Sequence, residues 1–143
     1  MIDLLIKYTD KELDLCARLM RAEALSEGNL GMLMVGNVIV NRALANCLDF
    51  KDIRTISDVI YQNNQFSGVK SNLFYSTSND KEKELARRVL NGEYYHPATN
   101  ALYFYSPGSN NTCKSSWYGE AFAGRYKSHC FYEPESGVCK ELH

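Results

Sequence analysis

The sequence predicts a helix-rich α+β fold with a small antiparallel β-sheet in the C-terminal third. Three patterns carry that prediction. Helical periodicity lies between start and stop signals at residues 9–28 and 79–92; residues 31–46 are apolar almost all round; and two aromatic-rich runs occupy 101–107 and 126–134. The 143 residues are enough for one hydrophobic core. No linker, internal repeat or low-complexity tract divides them, so a single catalytic domain over 1–143 is expected.

The elements follow in order. Thr9, with Glu12 three residues on, is a capping box, so the first helix is expected to start near Asp10. On its wheel Leu13, Cys16, Met20 and Ala24 share one face, while Asp14, Arg18 and Arg21 share the other. Glu23 falls on the apolar side, among Leu19, Cys16 and Met20, and Gly28 is the expected stop. The segment GMLMVGNVIVNRALAN (31–46) reads as a buried central helix. Its Gly36 permits close packing at a cost of about 1 kcal/mol relative to alanine. Asn37 and Asn41, four apart, are buried amides that require partners. TISDVIYQ (55–62) reads as a third helix running into the polar loop NNQFSGV. Asn79 and Glu82 form a second capping box, opening a helix that Gly92 stops. ALYFYSP (101–107) and YKSHCFYEP (126–134) read as antiparallel strands, separated by a loop of small and polar residues around Trp117.

Composition narrows the function. With 45% hydrophobic and 23% charged residues and a formal net charge of −1, the chain has the balance of a soluble globular protein and lacks the basic excess of a nucleic-acid binder. No apolar run approaches the roughly 18 residues of a membrane span. The opening MIDLLIKYTDKELDL lacks the features of a cleaved secretory signal, so synthesis without one is expected. The ten tyrosines suit either core covering or stacking on sugar rings. Five cysteines leave at least one unpaired within the chain. Cys16 fits the apolar stripe of the first helix, and the other four allow two bridges in an oxidising location. A zinc reading of Cys113, His129, Cys130, Cys139 and His143 lacks the usual ligand spacings, so no metal is expected.

Glu23 is the residue with a chemical question attached. Buried against leucine, methionine and cysteine, its carboxyl holds a proton to higher pH and can protonate a departing glycosidic oxygen. The competing reading is an ion pair with Arg42 across the helix packing. Glu27, one turn on, lies in the turn before Gly28 and is expected to be solvated. A single carboxyl suffices when the sugar's own hydroxyl attacks and leaves an anhydro ring, which is lytic transglycosylation.

Four stretches, ARLMRAEALSEGNLGMLMVGNVIVNR, ANCLDFKDIRTISDVIYQNNQF, ALYFYSP and WYGEAFAGRYKSHCFYEP, together resemble the SleB/CwlJ family of cell-wall hydrolases. NCLDFKDIRTI, the KSHCFY ending and the compact length are closer to the CwlJ-type branch. The resemblance implies a lysozyme-like fold related to lytic transglycosylases, and cleavage of spore cortex peptidoglycan during germination. The family's acid lies in its AEA motif, here Ala22-Glu23-Ala24. Gln65, Phe66 and Ser67 are then expected to line the glycan groove, with Tyr103, Tyr105 and Trp117 as sugar platforms or core aromatics. His129 either braces the sheet or touches substrate, and Asn41 and Arg42 are expected to position and polarise Glu23. The branch further implies a spore-coat protein at the outer cortex boundary, made in the mother cell, with a coat-protein partner and a response to calcium dipicolinate. No calcium loop is present, so that response is expected to be indirect, and no cofactor is implied. Alternatives are a phage-encoded lysin of this fold, a non-catalytic coat or wall-binding protein, and a cysteine amidase using a Cys with His129.

Overall fold

The structure, a computed structural model, describes residues 6–62, 66–108 and 110–143. Gln65 therefore lies outside the described residues. Five helices come first: α1 (Asp10–Ala24), α2 (Gly28–Ala45), α3 (Ile56–Tyr61), α4 (Asn72–Tyr75) and α5 (Asp80–Leu90). Four strands follow: β1 (Tyr103–Tyr105), β2 (Ser116–Trp117), β3 (Glu120–Tyr126) and β4 (His129–Glu133). The sheet is antiparallel in the order β1-β4-β3-β2, with Phe104 opposite Phe131 and Arg125 opposite Cys130.

Both capping boxes form as read, on Thr9 with Glu12 and on Asn79 with Glu82. α1, however, stops at Ala24, and a 3₁₀ turn, Leu25–Glu27, joins it to α2. Gly28 opens α2, and its φ of +81° makes the corner that an L side chain resists. The stretch around Trp117, read as a loop, holds β2 and β3. Its small residues accommodate a bulge between Phe122 and Gly124.

α2 is apolar all round because it is packed on two sides. Leu33 and Ile39 join the core formed with α1 and α5, while Met34 and Val38 join Phe131 of β4. Its two buried amides clamp the connection into the sheet. Asn37 donates to Glu93 O and accepts from Tyr95 N, and Asn41 donates to the carbonyls of Ala98, Thr99 and Ala101. Asn41 thus holds the approach to β1; the expected role in polarising Glu23 falls to other groups.

Arg21 also departs from its expected solvated face. It is 7% exposed and ion-paired with Glu82 at 2.8 Å, and it donates to the carbonyls of Leu73, Ser76 and Thr77. Arg18 donates to Phe74 O and lies over the Phe74 ring, 4.6 Å from its centroid. The two arginines fasten the 67–77 segment to the back of α1.

Disulfides join Cys47 to Cys139 and Cys113 to Cys130, and Cys16 is buried and free. The cysteines of the zinc reading are consumed in those bridges. No described helix is long and apolar enough to cross a membrane.

Candidate active site

Glu23 sits one residue before the end of α1 and lines an open cavity of 510 Å³. One wall comes from the helices, with Ala22, Arg42 and Ser67. The other comes from the sheet, with Tyr103, Phe104, Tyr105, Trp117, Tyr118 and His129.

Burial is the largest influence on Glu23 and pushes its pKa above the usual carboxylate range; the Gly68 N–H and the Arg42 charge oppose it without prevailing. Gly68 N donates to Glu23 Oε2 at 2.5 Å. A Cβ at Gly68 would collide with that oxygen and meet Leu19 Cδ1 at 3.0 Å, so only glycine brings a donor so close. This contact fixes one carboxyl oxygen and leaves Oε1 as the candidate to face the cleft.

Arg42 forms no ion pair with Glu23 among the described contacts. Its Nε donates to Leu102 O at 2.7 Å, and its guanidinium lies over the rings of Phe66, Phe50 and Tyr103 at 4.4, 4.6 and 5.1 Å. Burial lowers its pKa to about 10, so it stays cationic at neutral pH and acts on Glu23 through space. Phe66, expected in the groove, is 4% exposed beneath Arg42 and lines a neighbouring cavity instead; Ser67 borders both cavities.

The aromatic wall is stacked. Tyr105 lies on Trp117 at 4.5 Å between centroids, and Tyr103 lies under Tyr118 at 4.7 Å. Tyr103 is otherwise buried, with its hydroxyl donating to Asp49 Oδ2, so it backs the wall while Tyr118, 69% exposed, presents it. Sequence reasoning missed Tyr118, although it directly follows Trp117 and precedes a glycine in a turn.

Glu27 is not solvated. It is 6% exposed, its Oε1 accepts from Ser128 N at 2.9 Å and Ser128 Oγ at 2.7 Å, and it lies 3.3 Å from His129 Nδ1. Burial tends to raise its pKa, but the Ser128 hydrogen bonds and the His129 and Lys127 charges bring it below the usual value. Burial lowers the His129 pKa, against the pull of Glu27, so the ring is neutral at neutral pH.

Glu120, also missed, is 2% exposed behind this wall, and neither carboxylate oxygen has a hydrogen-bond partner among the described residues. Burial pushes its pKa up to about 8, with Arg42 opposing and Asp49 and Glu133 adding to the rise. In the unfolded chain the group ionises near 4.5. Between those values folding must keep it protonated, so stability falls as pH rises from about 4.5 to about 8 and then levels. Glu120→Gln is expected to remove that slope and to stabilise the protein at pH 8 by on the order of 3 kcal/mol. Denaturant melts of both proteins from pH 5 to 8 check this, and parallel stability curves would refute it.

Cys16 does not serve as a nucleophile: burial pushes its thiol up to about 12, and the remaining cysteines are bridged.

The relatives of this chain place its fold and cleft among the catalytic domains of cell-wall hydrolases. The catalytic domain of the germination-specific lytic transglycosylase SleB from Bacillus anthracis superposes with a TM-score of 0.70 at 25% identity, covering 88% of this chain and 97% of that one. The chain is 48% identical over 138 residues to the cell wall hydrolase CwlJ of Oceanobacillus iheyensis, covering 96% of each. It is 30% identical over 110 residues to a spore cortex-lytic enzyme of Bacillus cereus, covering 77% of this chain and 39% of that protein. The Cell Wall Hydrolase family profile matches residues 26–132, and the chain belongs to this family, in its SleB/CwlJ group. The matched span includes Arg42 and the whole aromatic wall and begins at Ser26, three residues after Glu23.

Proposed function

We propose that this cell-wall hydrolase cuts the glycan strands of spore cortex peptidoglycan during germination as a lytic transglycosylase, with Glu23 as its acid and base. The observation that carries this reading is that Glu23 is the single carboxyl lining the cleft among the described residues. Glu27 and Glu120 are turned away into the packing behind it. A hydrolase of the two-carboxylate type needs a second carboxyl across the scissile bond. With one, Glu23 gives its proton to the glycosidic oxygen as the C1–O bond breaks. The C6 hydroxyl of the same muramic sugar then bonds to C1 and returns its proton to Glu23. The raised pKa keeps the acid loaded, and Arg42 stabilises the carboxylate formed midway.

Sugar rings would stack along Tyr118, Trp117 and Tyr105, with Ser67 on the facing wall. The names of the relatives support the cortex as substrate. A place at the spore coat or outer cortex boundary, beside a coat-protein partner, is part of the same proposal. Calcium dipicolinate would then act indirectly, without a bound cofactor. Mass spectrometry of muropeptides released from purified cortex tests the chemistry. Anhydro-muramic ends are expected, and reducing ends alone would overturn the transglycosylase reading in favour of a muramidase using water.

A further inference from the structure

The turn that follows Glu23 delivers a second carboxylate to a different task. Glu27 gathers Ser128 N, Ser128 Oγ and His129 Nδ1 around one oxygen, Oε1, and its backbone carbonyl accepts from Lys127 Nζ at 3.1 Å. The 3.3 Å approach of Nδ1 is too oblique for a formed hydrogen bond. Catalytic hydrogen bonds of this kind commonly tighten in the substrate complex. The imidazole is 6% exposed, its ring and that of Phe104 meet edge to face with centroids 5.1 Å apart, and it borders the same cavity as Glu23. With Nδ1 turned to a carboxylate, the proton of the neutral ring belongs on Nδ1. Nε2 is then a lone-pair acceptor, and it is the ring nitrogen left to reach the cleft.

We propose that the Glu27–His129 pair selects the attacking oxygen: His129 Nε2 accepts a hydrogen bond from the sugar's own C6 hydroxyl and holds that hydroxyl, in place of water, against C1. The proposal rests on the transglycosylase reading above. The bonds made and broken are those already given: Nε2 holds the hydroxyl's one proton while the glycosidic bond breaks, and that proton swings to the Glu23 carboxylate, formed in the same step, as the C6 oxygen closes on C1. His129 orients the nucleophile, and Glu27 is the positioning residue that keeps Nε2 an acceptor. The charged groups around the ring are Glu27 and Lys127 on the turn side and Glu23 and Arg42 on the helix wall. Glu27, which is both anionic and nearest, is the one that dictates the tautomer.

The test is product partition. Cortex peptidoglycan is digested with wild type, His129→Ala and Glu27→Gln, and anhydro and reducing ends are counted by mass spectrometry. Wild type is expected to give anhydro ends. In His129→Ala the ratio of anhydro to reducing ends is expected to fall roughly tenfold, since a misplaced nucleophile loses to water. Glu27→Gln keeps an amide oxygen for Ser128 but loses the charge that polarises Nδ1–H, so it moves the ratio the same way by less. A merely structural role would lower total cleavage and leave the ratio unchanged. An unchanged ratio in a folded variant overturns the proposal, and Glu27→Gln decides alone if His129→Ala does not fold. Reducing ends from wild type itself would instead overturn the transglycosylase reading.

Discussion

Glu23→Gln is expected to lower the rate of cortex cleavage by about 10³-fold, the scale of a lost general acid, while leaving the fold intact. Glutamine has the same size, and its amide oxygen still accepts from Gly68 N, so the loop over α1 stays in place. What it lacks is a carboxyl proton to give to the leaving oxygen and a carboxylate to take one back. Because burial already disfavours the charged form of Glu23, replacing it with a neutral group costs no stability and yields a slightly higher melting temperature. Muropeptide release from purified cortex and a thermal melt of each protein provide the measurement. Cleavage within tenfold of wild type would remove Glu23 from the mechanism.

The second large effect is expected far from any sugar. Arg21→Leu should destabilise the protein by about 3–5 kcal/mol, because it leaves Glu82 as a buried charge without its cation and strips partners from carbonyls that depend on it. Leucine fills part of the space but accepts or donates nothing. Those carbonyls belong to Leu73, Ser76 and Thr77, in the segment that begins with Ser67 and Gly68. Loosening it withdraws the Gly68 donor from Glu23, so activity is expected to fall as well. Arg21→Lys keeps the charge but not the fork of donors and should recover only part of the loss. Denaturant titration at neutral pH measures both variants, and a loss under 1 kcal/mol for Arg21→Leu would mean that the network contributes little.

The helices were legible because capping boxes and a 3.6-residue period are local. Glu23 stood out for the same reason: it breaks the apolar stripe of its own helix. Arg21 and Glu27 misled the reading because their partners are far along the chain. Arg21 meets Glu82 and Glu27 meets Ser128, contacts that no wheel contains. β3 was hidden by its own composition. EAFAGRY has two alanines and a glycine, and its strand state comes from pairing with β4 on one side and β2 on the other. Arg42 was recognised as Glu23's neighbour, but its distance was not. Only the three-ring cradle, built from Phe50, Phe66 and Tyr103, explains how a cation is kept near the acid without neutralising it. The substrate is implied by the family resemblance, whereas the orientation of His129 depends on Glu27, far along the chain.

The sheet order has a temporal consequence. β4 lies between β1 and β3, so neither of those strands has its main partner until the ribosome has passed Glu133. The acid, by contrast, lies on α1, well before any of the strands. A nascent chain, or one truncated before β4, therefore carries Glu23 on a helix with no opposing wall to bind a glycan. The opposing wall therefore exists only once β4 is in place, and proteolysis of that strand would take it apart.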